Sequence, residues 1–189
     1  MKRRLVIFVK QARPGKVKTR LAAGIGTIAA TWWYRHQCED LFRRLSSPGW
    51  ELIAAVAPDT ALFEQGPWRH ADGRMSQGTG DLGDRMGRVF QHFNPHPTLI
   101  IGSDIPNITT SKIKSAFELL ENKDAVLGPA PDGGYWLIGI KGQTGRSRSL
   151  FRNVRWSSEH ALNDTIASLG TARIGLTEML RDVDTADDL

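Results

Sequence analysis

The chain has 189 residues, 40% hydrophobic and 24% charged, with a net charge of +5. This is the composition of an ordinary globular protein, read as a single domain over 1–189, and it excludes a disordered, collagen-like or coiled-coil chain. The single cysteine, Cys38, excludes an internal disulfide framework and a cysteine-built zinc site, and points to a reducing compartment.

The charge is unevenly placed. Eight Lys or Arg residues and no acid lie within the first 20 positions, and the remainder of the chain carries a net charge of −3. A nucleic-acid binder spreads basic residues over a face, whereas one short basic loop suits a small phosphorylated ligand. Nucleic acid is therefore not an expected partner. The apolar run Leu5 to Val9 is shorter than a signal peptide requires. The longest uncharged run, Leu21 to Tyr34, is too short and too polar to cross a bilayer. The expectation is a cytoplasmic protein without a membrane span.

Leu5 to Val9 is apolar and β-branched and predicts a buried strand. Lys10 to Arg20 follows as a loop with a Pro14-Gly15 turn. A helix is expected from about Thr27 to Leu45, ended by Pro48-Gly49, with Trp32 and Trp33 in the core. Leu52 to Ala57 predicts a second strand, stopped by Pro58, and 61–73 reads as irregular. Gln77 to Gly80 is a glycine-containing loop. Asp81 to Phe93 places Leu82, Met86, Val89, Phe90 and Phe93 at helical spacing. Thr98 to Ile101 predicts a third strand and Thr109 to Leu120 a helix with Thr or Ser caps. Ala125 to Leu127 and Tyr135 to Ile140 predict strands around an Asp132-Gly133-Gly134 turn. Gly142 to Ser149 is polar and reads as a mobile connection. Glu159 to Leu169 predicts a helix and Ala172 to Leu176 a last strand. Alternating strands and helices argue for an α/β fold with a mostly parallel sheet covered on both faces. Ligands of such sheets bind at the carboxyl ends of the strands.

Six segments could carry chemistry. In Lys10 to Arg20, five of eleven residues are cationic. A basic loop opening a helix suits a phosphate or diphosphate, and the absence of Gly-Lys-Ser/Thr excludes a Walker A loop. Gly24 to Ala29 formally matches G-x-G-x-x-A but lies too far beyond the first strand for a dinucleotide fingerprint, so it reads as a loop and helix start. Gln77 to Arg85 holds three glycines before an amphipathic helix. It fits either a nucleoside-approaching loop or a turn capped by Asp81. Asp104, in Gly102 to Pro106, leaves a strand end beside the basic loop, where a divalent metal would sit between carboxylate and phosphate oxygens. Gly128 to Trp136 is a hairpin turn or the rim of an acceptor pocket. Asp182 to Leu189 offers Asp184 as a second metal ligand, or Asp184 and Thr185 as caps. Trp156, before Ser157 and Ser158, stands at a helix start or lines a pocket. The five histidines lack metal-ligand spacing and no serine sits in a nucleophile elbow.

In order, these segments resemble the bacterial GT-A-like transferase family of the nucleotide-diphospho-sugar transferase superfamily. The resemblance rests on Lys10 with Pro14 to Leu21 (PGKVKTRL), Gln77 to Met86 (QGTGDLGDRM), Gly102 to Pro106 (GSDIP), Leu127 to Gly139 (LGPAPDGGYWLIG), Trp156-Ser157 and Asp182 to Leu189 (DVDTADDL). It covers nearly the whole chain. Ala12 stands where the family often has a second proline, and the Asp-x-Asp of many glycosyltransferases is reduced to Asp104. Related nucleotidyltransferases also pair a lone strand-end aspartate with a carboxylate near the C-terminus.

The resemblance implies a three-layer α/β/α GT-A-like (Rossmann-like) domain. It also implies a transferase using an activated nucleotide with Mg²⁺ or Mn²⁺, most readily a nucleotide-diphospho-sugar. Nucleotidyl transfer from an NTP to a small phosphorylated or hydroxylated acceptor is the alternative within enzymes. A non-catalytic nucleotide- or RNA-binding module is the alternative outside them. Under the first reading Lys10, Gly15, Lys18, Thr19 and Arg20 hold the diphosphate, while Gln77, Gly78, Gly80, Asp81, Gly83 and Arg85 approach the nucleotide. Asp104 and Asp184 hold metal, Asp104 and Asp132 are the catalytic carboxylates, and Gly133, Gly134, Trp156 and Ser157 face a small-molecule acceptor.

Overall fold

The computed structural model describes residues 2–142 and 150–189. Seven strands and five α-helices are present among them: β1 (Arg4–Lys10), α1 (Thr19–Ile25), α2 (Thr27–Leu45), β2 (Glu51–Ala57), β3 (Gly73–Ser76), α3 (Leu82–Phe93), β4 (Thr98–Gly102), α4 (Thr110–Asn122), β5 (Ala125–Pro129), β6 (Tyr135–Ile140), α5 (Ala161–Ser168) and β7 (Ile174–Leu176). The sheet runs in the order β3-β2-β1-β4-β6-β5-β7. Its pairs are parallel except β4–β6 and β5–β6, so β6 alone runs against the others. The α/β expectation with a mostly parallel sheet is met.

Side-chain alternation along the strands sorts the core into two faces. Leu5, Ile7 and Val9 of β1, with Leu99 and Ile101 of β4, meet Tyr34, Cys38, Leu41 and Phe42 of α2 and Ile113 and Phe117 of α4. Val6 and Ile100 point the other way, toward Met86, Val89 and Phe90 of α3. Burial on both faces explains why β1, β2 and β4 read as unbroken apolar runs.

Three features differ from expectation. The basic loop ends early, because Thr19–Ile25 forms α1 and Gly26, at φ 86°, separates it from α2. Gly24 is needed for packing: a Cβ there would lie 2.7 Å from the Ala186 Cβ. The segment read as irregular ends in β3, a short edge strand in register with Ile53 to Val56. Trp32 is 63% exposed and lies against His36 at 3.9 Å between ring centroids, so it is not core; Trp33 packs against the core from a partly buried position. Of the polar connection expected at 142–149, residues 143–149 lie outside the described residues.

Caps fix where the helices begin. Asp81 accepts from the Asp84 N–H at 2.9 Å and Asp84 returns to the Asp81 N–H at 3.1 Å, closing a capping box on α3. Thr109 caps α4 through the Lys112 N–H.

Candidate active site

β1 is the point where the sheet order reverses. The chain steps from β1 to β2 and β3 on one side, then places β4, β6, β5 and β7 on the other. Connections leaving the carboxyl ends of β1 and β4 therefore diverge and leave a crevice between them, the place where open α/β sheets bind ligands. A cavity of about 430 Å³ lies there, walled by Phe8 and Lys10 of β1, Lys16 to Arg20 of the basic loop and α1, and Gly102 to Asp104 after β4. Gln77, Arg85 and Asp184 complete its polar lining.

Lys18 is the pivot of this cavity. Its backbone is left-handed, φ 47° and ψ 48°, at the N-cap of α1. This turns its side chain inward, where it is only 6% exposed. The ammonium is 2.6 Å from Asp104, 3.6 Å from Asp184 and 3.9 Å from Asp182. Arg20 reaches Asp184 at 2.5 Å, and this bond raises the guanidinium pKa above its ordinary value. Burial, reinforced by the Asp104 carboxylate, raises the Asp182 carboxyl above its ordinary range. The closing segment is drawn to the β4 end by a bond from the Val183 N–H to the Asp104 carbonyl at 3.1 Å.

Tyr34 also lines the cavity, and its hydroxyl accepts from the Lys10 N–H at 2.9 Å and pairs with the Ser103 hydroxyl at 3.0 Å. It ties the ends of β1 and β4 together from α2. Burial raises the phenol above its ordinary pKa and pushes the Cys38 thiol up to about 12, so the cysteine stays protonated and unreactive. Gln77 is 4% exposed and donates to the Ala55 carbonyl at 2.8 Å and the Val9 carbonyl at 3.3 Å. It is thus a brace across the strand ends, with a face on the cavity.

Gly78, Thr79 and Gly80 border a further recess of about 630 Å³ with Lys10, Lys16, Arg85 and Pro58. Lys10, Lys16 and Arg85 line this recess and the crevice alike, making one cationic groove. Thr19 lines the crevice, while Gly15 lines neither and holds the loop's turn at φ 72°. Asp81 is occupied as the α3 cap. Gly83 lets α3 pack closely, since a Cβ there would lie 2.8 Å from both Phe151 and Trp156.

A second cavity of about 250 Å³ adjoins the first and shares Leu82, Gly102 and Asp104 with it. Asp132, Gly134, Tyr135, Trp136, Trp156, Ser157 and Asp182 line it. The antiparallel start of β6 brings Tyr135 and Trp136 beside the end of β4, because Leu137 pairs with Ile101. Asp132 also accepts from the Gly134 N–H at 2.9 Å. Gly133, at φ 82°, lies against the Glu159 backbone, where a Cβ would come within 2.2 Å of the carbonyl oxygen.

Carboxylate oxygens suit a hard cation such as Mg²⁺ or Mn²⁺. Among the described residues no group of three or more His, Cys, Asp or Glu side chains is placed to hold a metal. Asp104, Asp182 and Asp184 converge instead on the Lys18 ammonium. Mg²⁺ typically takes one or two protein carboxylates and fills its shell with water and phosphate. Asp104 and Asp184 are the carboxylates that could take that role, and both contact Lys18 in this structure.

Five of the six segments singled out in the sequence border these cavities and Gly24 to Ala29 does not, while Asp182, Tyr34, Ser103 and Lys16 were not among the predicted site residues. Asp182 had a visible signal, since it stands two positions before Asp184 in the same closing motif. Tyr34 had none, because its role depends on how α2 crosses the strand ends.

The sequence profile of a family described as an uncharacterized protein conserved in bacteria (DUF2064) matches residues 41–158. No curated protein matches the sequence significantly. Among solved structures, a protein of Desulfovibrio desulfuricans G20 provisionally assigned as a nucleotide-diphospho-sugar transferase aligns at 28% identity and TM-score 0.84, covering 98% of this chain and 84% of that one. The inositol-1-phosphate CTP transferase of T. maritima aligns at 13% identity and TM-score 0.57, over 100% of this chain and 91% of that one. Rv0371C of Mycobacterium tuberculosis H37Rv, in complex with manganese, aligns at 15% identity and TM-score 0.56, over 100% and 96%. The last two share the fold.

Proposed function

The chain belongs to this bacterial family, and from that premise we propose that it is a single-domain transferase acting on an activated nucleotide, with a nucleotide-diphospho-sugar as donor. The observation that carries the reading is the cationic groove at the sheet's switch point. There Lys10, Lys16, Arg20 and Arg85 flank Asp104 and Asp184. The cations suit the oxygens of a diphosphate. The carboxylates among them, contacted by Lys18 and Arg20, are of the kind that would hold a divalent cation. The likeness to the Desulfovibrio protein supports the donor class. The manganese complex of a protein sharing the fold supports a divalent metal.

In this reading the diphosphate lies along Lys10, Lys18, Thr19 and Arg20, and the nucleoside extends toward Gly78 and Gly80. Asp104 and Asp184 would hold Mg²⁺ or Mn²⁺, which would supply positive charge against the departing diphosphate. Lys18 leaves the carboxylates and turns to the phosphate oxygens. An acceptor hydroxyl beside Asp132 bonds to the sugar's anomeric carbon as the bond from that carbon to the diphosphate oxygen breaks. Its proton passes to the carboxylate, and a nucleoside diphosphate leaves. The crevice also has room for an NTP donor. The released product separates the two readings, since nucleotidyl transfer yields pyrophosphate. The experiment is to incubate nucleotide-sugars and NTPs with the protein and metal and to identify the phosphate product. Asp104→Asn is expected to abolish turnover while leaving the protein folded. Full turnover by this variant would refute the assignment.

A further inference from the structure

The two adjoining cavities differ in charge in a way that selects the acceptor. The first is lined by Lys10, Lys16, Lys18, Arg20 and Arg85. The second shares Asp104 with it and adds Asp132 and Asp182, yet no Lys, Arg or His lines it among the described residues. The neighbouring arginines in sequence are engaged elsewhere: Arg155 on Asp164 at 2.8 Å and Arg181 on Asp188 at 3.5 Å. Lys18 touches Asp104 and Asp182 from the first cavity and does not line the second. The rest of the second cavity's wall is uncharged: Ser157 and Ser158 supply hydroxyls, and Ile105, Tyr135, Trp136, Trp156 and Leu180 supply most of the apolar and aromatic surface. The indole Nε1 of Trp156 is buried without a hydrogen-bond partner, while that of Trp136 donates to the Glu178 carbonyl.

From this charge division we propose that the second cavity takes a single-ring acceptor bearing hydroxyl or amino groups and rejects phosphorylated or carboxylated ones. The inference rests on the transferase reading and narrows its acceptor. With Asp104 engaged by Lys18 or a metal, a phosphate placed there would still face Asp132 and Asp182 with no cation of the cavity's own, and like-charge contacts disfavour such a partner. A neutral ring can lie against the tryptophans while its hydroxyls donate to the carboxylates, and an ammonium gains further from them. A volume of about 250 Å³ equals that of about eight liquid waters, so the part of a ligand that lies inside it is roughly one ring.

The test titrates the full chain, with Mn²⁺ and a saturating nucleoside diphosphate present to fill the first cavity, against matched compounds followed by tryptophan fluorescence. The pairs are myo-inositol and inositol 1-phosphate, glucosamine and glucosamine 6-phosphate, and glucose and glucuronate. The neutral or amino member of each pair should bind at least about tenfold tighter than its anionic partner, a difference of about 1.4 kcal/mol. Equal or tighter binding of the anionic members would overturn the inference, and so would failure of every neutral and amino member to bind. Half-buried Ala130 lines the same cavity. Ala130→Lys should shift the preference toward the phosphorylated members, and an unchanged preference in the folded variant counts against the electrostatic cause. A parallel thermal-shift measurement with CDP, GDP, UDP and ADP separates failure of the donor reading from failure of this one.

Discussion

Lys18→Met removes one charge while keeping most of the apolar stem. In the native protein that charge lies within 3.9 Å of three carboxylates. Two unit charges 4 Å apart interact by about 4 kcal/mol at an effective dielectric of 20. The carboxylates are 30–39% exposed, so solvent and counterions recover much of this. Losing one partner of a charged hydrogen bond leaves a net penalty of about 1–3 kcal/mol. For a domain of this size each kcal/mol moves Tm by roughly 2–4 °C, so the variant should melt about 2–12 °C lower in metal-free buffer. Mn²⁺ should then raise the Tm of Lys18→Met more than that of the native protein, because the cation no longer competes with an ammonium for Asp104 and Asp184. Thermal unfolding with and without Mn²⁺ measures both effects. A variant with native Tm, and the native response to Mn²⁺, would refute the view that Lys18 holds a cation position.

Other substitutions test the framework. Tyr34→Phe leaves the Lys10 N–H and the Ser103 hydroxyl without their buried partner; it should cost about 1–3 kcal/mol in chemical denaturation. Leu41→Ala, at a side chain with no solvent exposure, should cost about 2–5 kcal/mol in the same assay. Gly133→Ala combines a positive φ with a clash against the Glu159 carbonyl; it should lower Tm and weaken acceptor binding more than donor binding. The Asp188 carboxyl is held down to about 2 by the Thr185 N–H, the Thr185 hydroxyl and the Asp184 N–H. Its folded pKa is lowered, so its stabilisation is present above the ordinary carboxylate pKa of about 4 and is lost as pH falls toward 2. Asp188→Asn should flatten Tm against pH in that window, and an unchanged profile would contradict the assignment.

The strands that build the crevice were legible because burial on both faces leaves an unbroken apolar run, as in Leu5 to Val9 and Thr98 to Ile101. β3 was not, since Gly73 to Ser76 is a short edge strand with half-buried and exposed side chains and no run to detect. The first helix was hidden by its own sequence. Thr19 and Arg20 continue a basic loop, and Gly24 and Gly26 read as breakers until Ala186 is seen packed against Gly24. The hairpin reading of Asp132 to Gly134 pointed to β6 running against β5, but the insertion of β6 between β4 and β5 was illegible, because an apolar run carries no sign of which strand it pairs with. Asp104 stood out locally as a carboxylate leaving a strand. What local sequence could not convey is that Lys18 lies buried between Asp104 and the closing aspartates, a contact made by residues far apart in the chain. The same limit applied to Trp32, whose position on an apolar stretch suggested core but whose ring faces solvent.

The most direct test of the nucleotide reading is calorimetric titration of the native protein and Asp104→Asn with UDP, GDP, CDP, ADP and the corresponding NTPs, each with and without Mn²⁺. At least one nucleotide should bind the native protein, more tightly when Mn²⁺ is present. The same nucleotide should bind Asp104→Asn without that metal-dependent gain. No binding of any nucleotide to the native protein, or a metal-dependent gain that survives Asp104→Asn undiminished, would contradict the account.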